Sequence, residues 1–133
     1  MYSTEHGPSG NPPGHDEMNV IQAGENYGWP VVIGDETEAG MMRPIFHSGE
    51  DTWAPSGLAY HDGKLYVAGL RGMQIRIFDL EQGTSEVVFR KGGRLRDVAV
   101  IDGDVYVLTN NRDGRGNPDQ GDDHLLKIEW LTR

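Results

Sequence analysis

The stretch Gly57-Leu58-Ala59-Tyr60-His61-Asp62-Gly63-Lys64-Leu65-Tyr66-Val67-Ala68 aligns without gaps on Asp97-Val98-Ala99-Val100-Ile101-Asp102-Gly103-Asp104-Val105-Tyr106-Val107-Leu108, at an offset of 40 residues. Ala59/Ala99, Asp62/Asp102, Gly63/Gly103, Tyr66/Tyr106 and Val67/Val107 are identical pairs. Each copy reads as strand, Asp-Gly turn, strand. An Asp-Gly pair between β-rich runs signals a hairpin, because glycine takes a positive φ at no steric cost. Residues 74–80 and 85–90 are two further strand-like runs. Four strands therefore fall within about 40 residues, the period of a propeller blade.

Residues 125–130 supply a third strand to the second copy, and a fourth is not found. Two lone blades would leave long open edges, which propellers avoid by closing into a ring. The sequence thus predicts an all-β chain of about two blades, incomplete on its own or completed by assembly. A small β-sandwich with a chance repeat is the competing reading. Upstream, residues 1–30 read as a functional loop, a strand at 18–21 and a turn at Gly28-Trp29-Pro30. Residues 31–56 read as irregular, with a short strand near 42–46.

Composition agrees with short strands and tight turns: 19 glycines and 7 prolines among 133 residues disfavour long helices. A net charge of −9 argues against a nucleic-acid backbone as partner, though a few local arginines can still hold an anion. Without cysteine there is no disulfide, thiolate metal site or cysteine nucleophile. No apolar run approaches the roughly 18 residues of a membrane span. The start of the chain has no signal-peptide pattern, which predicts either a cytoplasmic protein or a further N-terminal part.

Chemistry-bearing residues concentrate in Glu5-His6-Gly7-Pro8-Ser9-Gly10, His15-Asp16-Glu17-Met18-Asn19 and Asn26-Tyr27-Gly28-Trp29-Pro30. Glycine beside proline lets carbonyls point out of a tight loop, where they suit a hard cation such as calcium. The His spacing does not match a zinc site. An ordinary polar loop with Asp16 as a cap is the plainer alternative. Arg94 and Arg96 are two apart on a strand and so share a face. They call for an anionic ligand or for acidic neighbours such as Asp97 or Glu86.

The ordered series Glu-His-Gly-Pro, Asp-Glu-Met-Asn, Asn-Tyr-Gly-Trp-Pro resembles the family of soluble glucose, aldose and sorbosone dehydrogenases that use pyrroloquinoline quinone (PQQ). Ala54-Pro55-Ser56-Gly57, Gly69-Leu70-Arg71-Gly72 and Arg94-Leu95-Arg96-Asp97-Val98 continue the resemblance in order, to the end of the chain. It implies the C-terminal part of a six-bladed β-propeller: residues 1–56 as calcium/PQQ loop and connecting segment, 57–96 as a blade, and 97–133 as the last blade lacking one strand. It implies calcium on the carbonyls of Gly7 and Pro8. It also implies PQQ contacts from Arg71, Arg94, Arg96, Gly69, Leu70 and Tyr27. Trp29 is expected to be structural, filling a propeller core.

The resemblance further implies oxidation of an aldose at C1 to its lactone, a sugar as substrate, and a periplasmic or secreted location. Coverage of the open strand edges would come from the remaining propeller or from self-association. Arg71 stands where the family has lysine, which changes a point charge to a planar fork. Trp53 sits directly against Ala54, closer than the family's substrate-stacking tryptophan. The family's general base is a histidine of an early blade, and none of the five histidines here occupies its place. No catalytic residue is therefore assigned, and the isolated chain is expected to be inactive. The loop 110–123 reads as a solvated surface loop. A non-catalytic binding module, including a calcium-dependent carbohydrate binder, is the alternative function.

Overall fold

The structure, a computed structural model, describes residues 1–129. Ten strands and no helix are found among them. They are β1 (Tyr2–Glu5), β2 (Glu17–Val20), β3 (Phe46–His47), β4 (Pro55–His61), β5 (Lys64–Gly69), β6 (Gln74–Asp79), β7 (Thr84–Phe89), β8 (Leu95–Ile101), β9 (Asp104–Thr109) and β10 (Leu125–Ile128). The chain divides into two compact units, Met1–Pro55 and a second from Ser56 onward.

The second unit carries the repeat. Its sheets are β4-β5-β6-β7 and β10-β9-β8. Both Asp-Gly turns have positive φ at each central residue: Asp62 48° and Gly63 74°, Asp102 53° and Gly103 84°. That is the turn whose twist matches the flanking strands, so the two copies fold alike for the reason the sequence indicates. In the last sheet Val98 faces Val107 and Val100 faces Val105, while Leu126 opposes Val107 on the other side. These valines point to one side, because strand side chains alternate. Ala68, Ile75, Leu95, Val98, Val105, Val107 and Ile128 form one buried cluster, with Ala59, Tyr66, Val88, Phe89 and Val100 packed against it. The opposite face leaves Ile101, Leu108 and Leu125 exposed.

In the first unit the strand expected at 18–21 is found as β2, but the rest is more regular than a loop and connecting segment. Residues 1–56 contain a sheet of their own, β1-β2-β3. Tyr2 pairs with Val20 and Glu5 with Glu17, and Glu17 also pairs with His47. Strand β1 escapes a pattern search because Tyr2-Ser3-Thr4-Glu5 has no apolar alternation; it is an edge strand made by its partner. The strand expected at 42–46 lies instead at Phe46–His47, while Met41 bridges Asn26. Met18 supplies the buried apolar anchor of this sheet at 1% exposure. Strand β10 ends at Ile128; Trp130, placed in that strand from the sequence, lies outside the described residues.

Leu95 is fully buried in the cluster beneath the arginine-bearing segment. Leu95→Ala is expected to destabilise the fold by about 2–5 kcal/mol, through lost transfer energy and a residual cavity. Urea denaturation should show a lower midpoint at an unchanged slope.

Candidate functional site: a carbonyl loop and a clamped arginine pair

In the first unit the chain between β1 and β2 folds back on itself around Asp16. This carboxyl is 2% exposed. Its Oδ1 accepts the Gly7 N–H at 3.0 Å, and its Oδ2 accepts the N–H groups of Trp53 and Ala54 at 2.6 and 2.9 Å. The Asp16 N–H donates to Ser48 Oγ at 2.9 Å, and the His15 N–H to the Gly49 carbonyl at 2.6 Å. The packing is close enough to demand glycine at position 7. A Cβ there would lie 1.9 Å from the Gly14 carbonyl oxygen.

A small cleft of about 50 Å³ opens on this loop, lined in part by Glu5, His6, Gly7, Pro8, Tyr27 and Trp29. Gly7 and Pro8 are half-buried, and among the described residues neither carbonyl accepts a hydrogen bond. The Tyr27 hydroxyl donates to the Val20 carbonyl and accepts from the Gln22 N–H, both at 2.7 Å. Its ring position is thereby set by the backbone. Trp29 is 67% exposed, which corrects the expectation that it fills a core; it borders the cleft instead. Trp53 is half-buried, and its N–H is one of those held by Asp16.

The second unit holds the arginines. Arg94 Nε and Nη2 both donate to Asp113 Oδ2, at 3.0 and 2.8 Å. Arg96 Nη2 lies 3.9 Å from the same oxygen, and its Nη1 donates to Ser56 Oγ at 3.4 Å. The two guanidinium groups do point the same way, although a bulge interrupts the pairing between Leu95 and Asp97. Their acidic neighbour is neither Asp97 nor Glu86. Asp97 turns its Oδ1 to the Val98 N–H and lies so near Gly57 that a Cβ there would meet Oδ1 at 1.8 Å.

Asp113 comes from the loop read as a solvated surface segment, and that loop is anchored. The buried Asn111 accepts the Arg94 N–H, donates to the Gly92 carbonyl and to Asp122 Oδ2, and gives its own N–H to Asp123 Oδ1. The Arg115 N–H holds the Asp113 carboxyl below the usual carboxylate range; the Arg94 hydrogen bonds and charge add to this, and partial desolvation opposes it. Asp123 is lowered in the same direction, chiefly by the Asn111 N–H. The sequence signal for Asp113 was present but ambiguous: an Asp-Gly pair between arginines fits a bare turn equally well. Arg71 follows the buried Gly69 and Leu70 at the end of β5 and is exposed, with no hydrogen bond or ion pair among the described residues. Leu70 as a whole is 6% exposed, so both it and Gly69 are buried beside the exposed Arg71.

Antiparallel sheets of three and four strands, repeated at 40 residues and lacking helix among the described residues, define part of a β-propeller. The sequence model for glucose/sorbosone dehydrogenase matches residues 1–126, and the chain belongs to that family. A structure from Thermus thermophilus, assigned as an oxidoreductase of the glucose dehydrogenase kind, is 43% identical with a TM-score of 0.85, covering 95% of this chain and 40% of that one. The PQQ-bound aldose sugar dehydrogenase of Streptomyces coelicolor is 34% identical with a TM-score of 0.85, covering 95% of this chain and 38% of that one. The aldose sugar dehydrogenase YliI of Escherichia coli K12 is 29% identical, over 86% of this chain and 36% of its own length. The chain thus spans about a third of the length of the curated relatives it matches, 32% and 36%. No helix among the described residues is long and apolar enough to cross a membrane.

The lowered carboxyls set a pH prediction. Their folded-state values lie below the unfolded value near 3.9, so the stability they contribute is present above that pH and is lost as pH falls through the lowered values. The loop 110–123 is expected to stay closed at pH 5 and to open only below about pH 4, read by Arg94 Nε–H exchange in NMR. Asp113→Asn should speed that exchange at neutral pH while leaving the Asp-Gly hairpins intact.

Proposed function

We propose that this chain supplies the cation loop and an arginine surface of a PQQ- and calcium-dependent sugar dehydrogenase, one that oxidises an aldose at C1 to its lactone. The observation that carries the reading is the Gly7-Pro8 turn. It presents two adjacent half-buried carbonyls that accept no hydrogen bond among the described residues, in a loop too tight for any side chain at position 7. Neutral oxygen donors of this kind suit calcium. The described residues hold no group of three or more His, Asp or Glu able to cage a metal ion. The two carbonyls are donors this loop offers, and Glu5 and Glu17 border the same cleft.

The arginines fit an anionic cofactor. PQQ carries three carboxylates, which guanidinium forks bind bidentately. Arg71 keeps its whole donor set free among the described residues, and Arg96 is half exposed with one weak bond to Ser56. Arg94 has Nε and Nη2 engaged by Asp113, so it contributes charge and its remaining Nη1. One carboxylate facing two guanidinium groups leaves a positive excess for the ligand. Tyr27, Gly69 and Leu70 complete the proposed cofactor contacts, Gly69 and Leu70 through backbone groups. When bound, PQQ would take up the hydride and calcium would polarise the quinone carbonyl.

No histidine here serves as general base in this reading. His6 Nε2 bonds the Pro55 carbonyl, His15 Nδ1 the Pro13 carbonyl, and His47 Nδ1 accepts from the Gly49 N–H. His124 stands beside Asp122, and His61 is exposed at a hairpin. The base, the other blades and a periplasmic or secreted location follow from the family resemblance. The exposed Ile101, Leu108 and Leu125 support coverage of the last sheet by further propeller or by a second copy.

The test is titration of the 133-residue chain with PQQ, with and without Ca²⁺. The expected result is a quinone absorbance shift that Ca²⁺ strengthens and that Arg71→Ala weakens by about tenfold. Sugar-dependent dye reduction should be absent from this chain alone. Calcium-dependent sugar binding without PQQ binding would replace the reading by a non-catalytic carbohydrate module.

A further inference from the structure

The buried Asp16 carboxyl has no counter-cation. Among the described residues no lysine, arginine or histidine pairs with it, and its partners are three backbone N–H groups. Its two oxygens accept all three of these donors. Backbone N–H groups spread a negative charge but do not neutralise it, and a buried charge normally carries a partner. Asp16 bonds the N–H of Gly7, the residue whose carbonyl belongs to the free pair. It does not itself line the cleft, so it acts behind the loop and not as a ligand.

We infer that Asp16 is the positioning residue of the cation loop. It aims the Gly7 and Pro8 carbonyls, adds a buried negative charge behind a cleft that Glu5 and Glu17 also border, and couples cation occupancy to the Trp53-Ala54 segment through its second oxygen. The inference rests on the reading of Gly7-Pro8 as a cation site and goes beyond it by naming what makes that site strong. The coupling follows from geometry: Oδ1 serves the cation loop while Oδ2 serves a segment 37 and 38 residues further along the chain. A cation drawn to Gly7 tightens the Asp16 bonds on both sides at once. The backbone at Trp53 is thereby tied to the state of the loop.

Ca²⁺ titration of the full chain, followed by calorimetry and by amide exchange in NMR, tests this. Wild type should bind Ca²⁺, and binding should slow exchange of the Gly7, Trp53 and Ala54 amides together. Asp16→Asn should weaken Ca²⁺ binding by about tenfold or more, since the amide loses the charge and can accept on one atom only. Circular dichroism and the hairpin amides of 62–63 and 102–103 report whether the variant is folded. If it is not, the wild-type exchange experiment decides alone: protection of Gly7 without Trp53 and Ala54 overturns the inference. Unchanged affinity in a folded Asp16→Asn also overturns it while leaving the cation site standing. Failure of wild type to bind Ca²⁺ removes the cation site and the inference with it.

Discussion

A carboxylate accepting several backbone N–H bonds is the fastening on which both candidate regions depend. Asp16 does this for the Gly7-Pro8 loop, and Asp123 with the Asn111 amide does it for the loop that carries Asp113. Charged acceptors make stronger hydrogen bonds than neutral ones, and they gather donors that no regular ladder satisfies. The loops they hold are rich in glycine and proline and bury little apolar surface. Without these bonds the backbone of either loop would have little reason to keep one shape.

The sheets rest on a different principle. The second unit buries a contiguous aliphatic cluster from β5, β6, β8, β9 and β10. Burial of this kind is non-directional and sets a rigid frame. The arginine pair is placed where frame meets loop: Leu95 is locked in the cluster, while Arg94 and Arg96 on either side of it turn out to the Asp113 carboxylate. Site geometry thus derives from a dry anchor flanked by polar clamps. The same division appears in the first unit, where buried Met18 lies two residues from Asp16.

Much of this was legible in the chain. The Asp-Gly pairs announced both hairpins, because so few residues tolerate positive φ at two successive positions. The Arg-x-Arg spacing announced a shared direction, which survived a bulge. Strand β1 was not legible, because Tyr2-Ser3-Thr4-Glu5 owes its extended form to its partner β2 and has no period of its own. Trp29 misled, since aromatic bulk favours burial on average but its position in the turn leaves it at the edge of a cleft. Asp113 was hidden for a third reason: a loop of polar residues looks solvated until one knows which donors face it.

The sequence by itself determined the all-β class, the blade-length repeat, the turn types and the family, because each depends on local conformational preference or on ordered motifs. Tertiary structure alone decided which acids meet which donors: Asp16 with Gly7, Trp53 and Ala54, and Asp113 with Arg94 and Arg96. Those pairings join residues distant along the chain. A hydrogen bond or an ion pair exists only at contact distance, and contact distance is a property of the folded backbone.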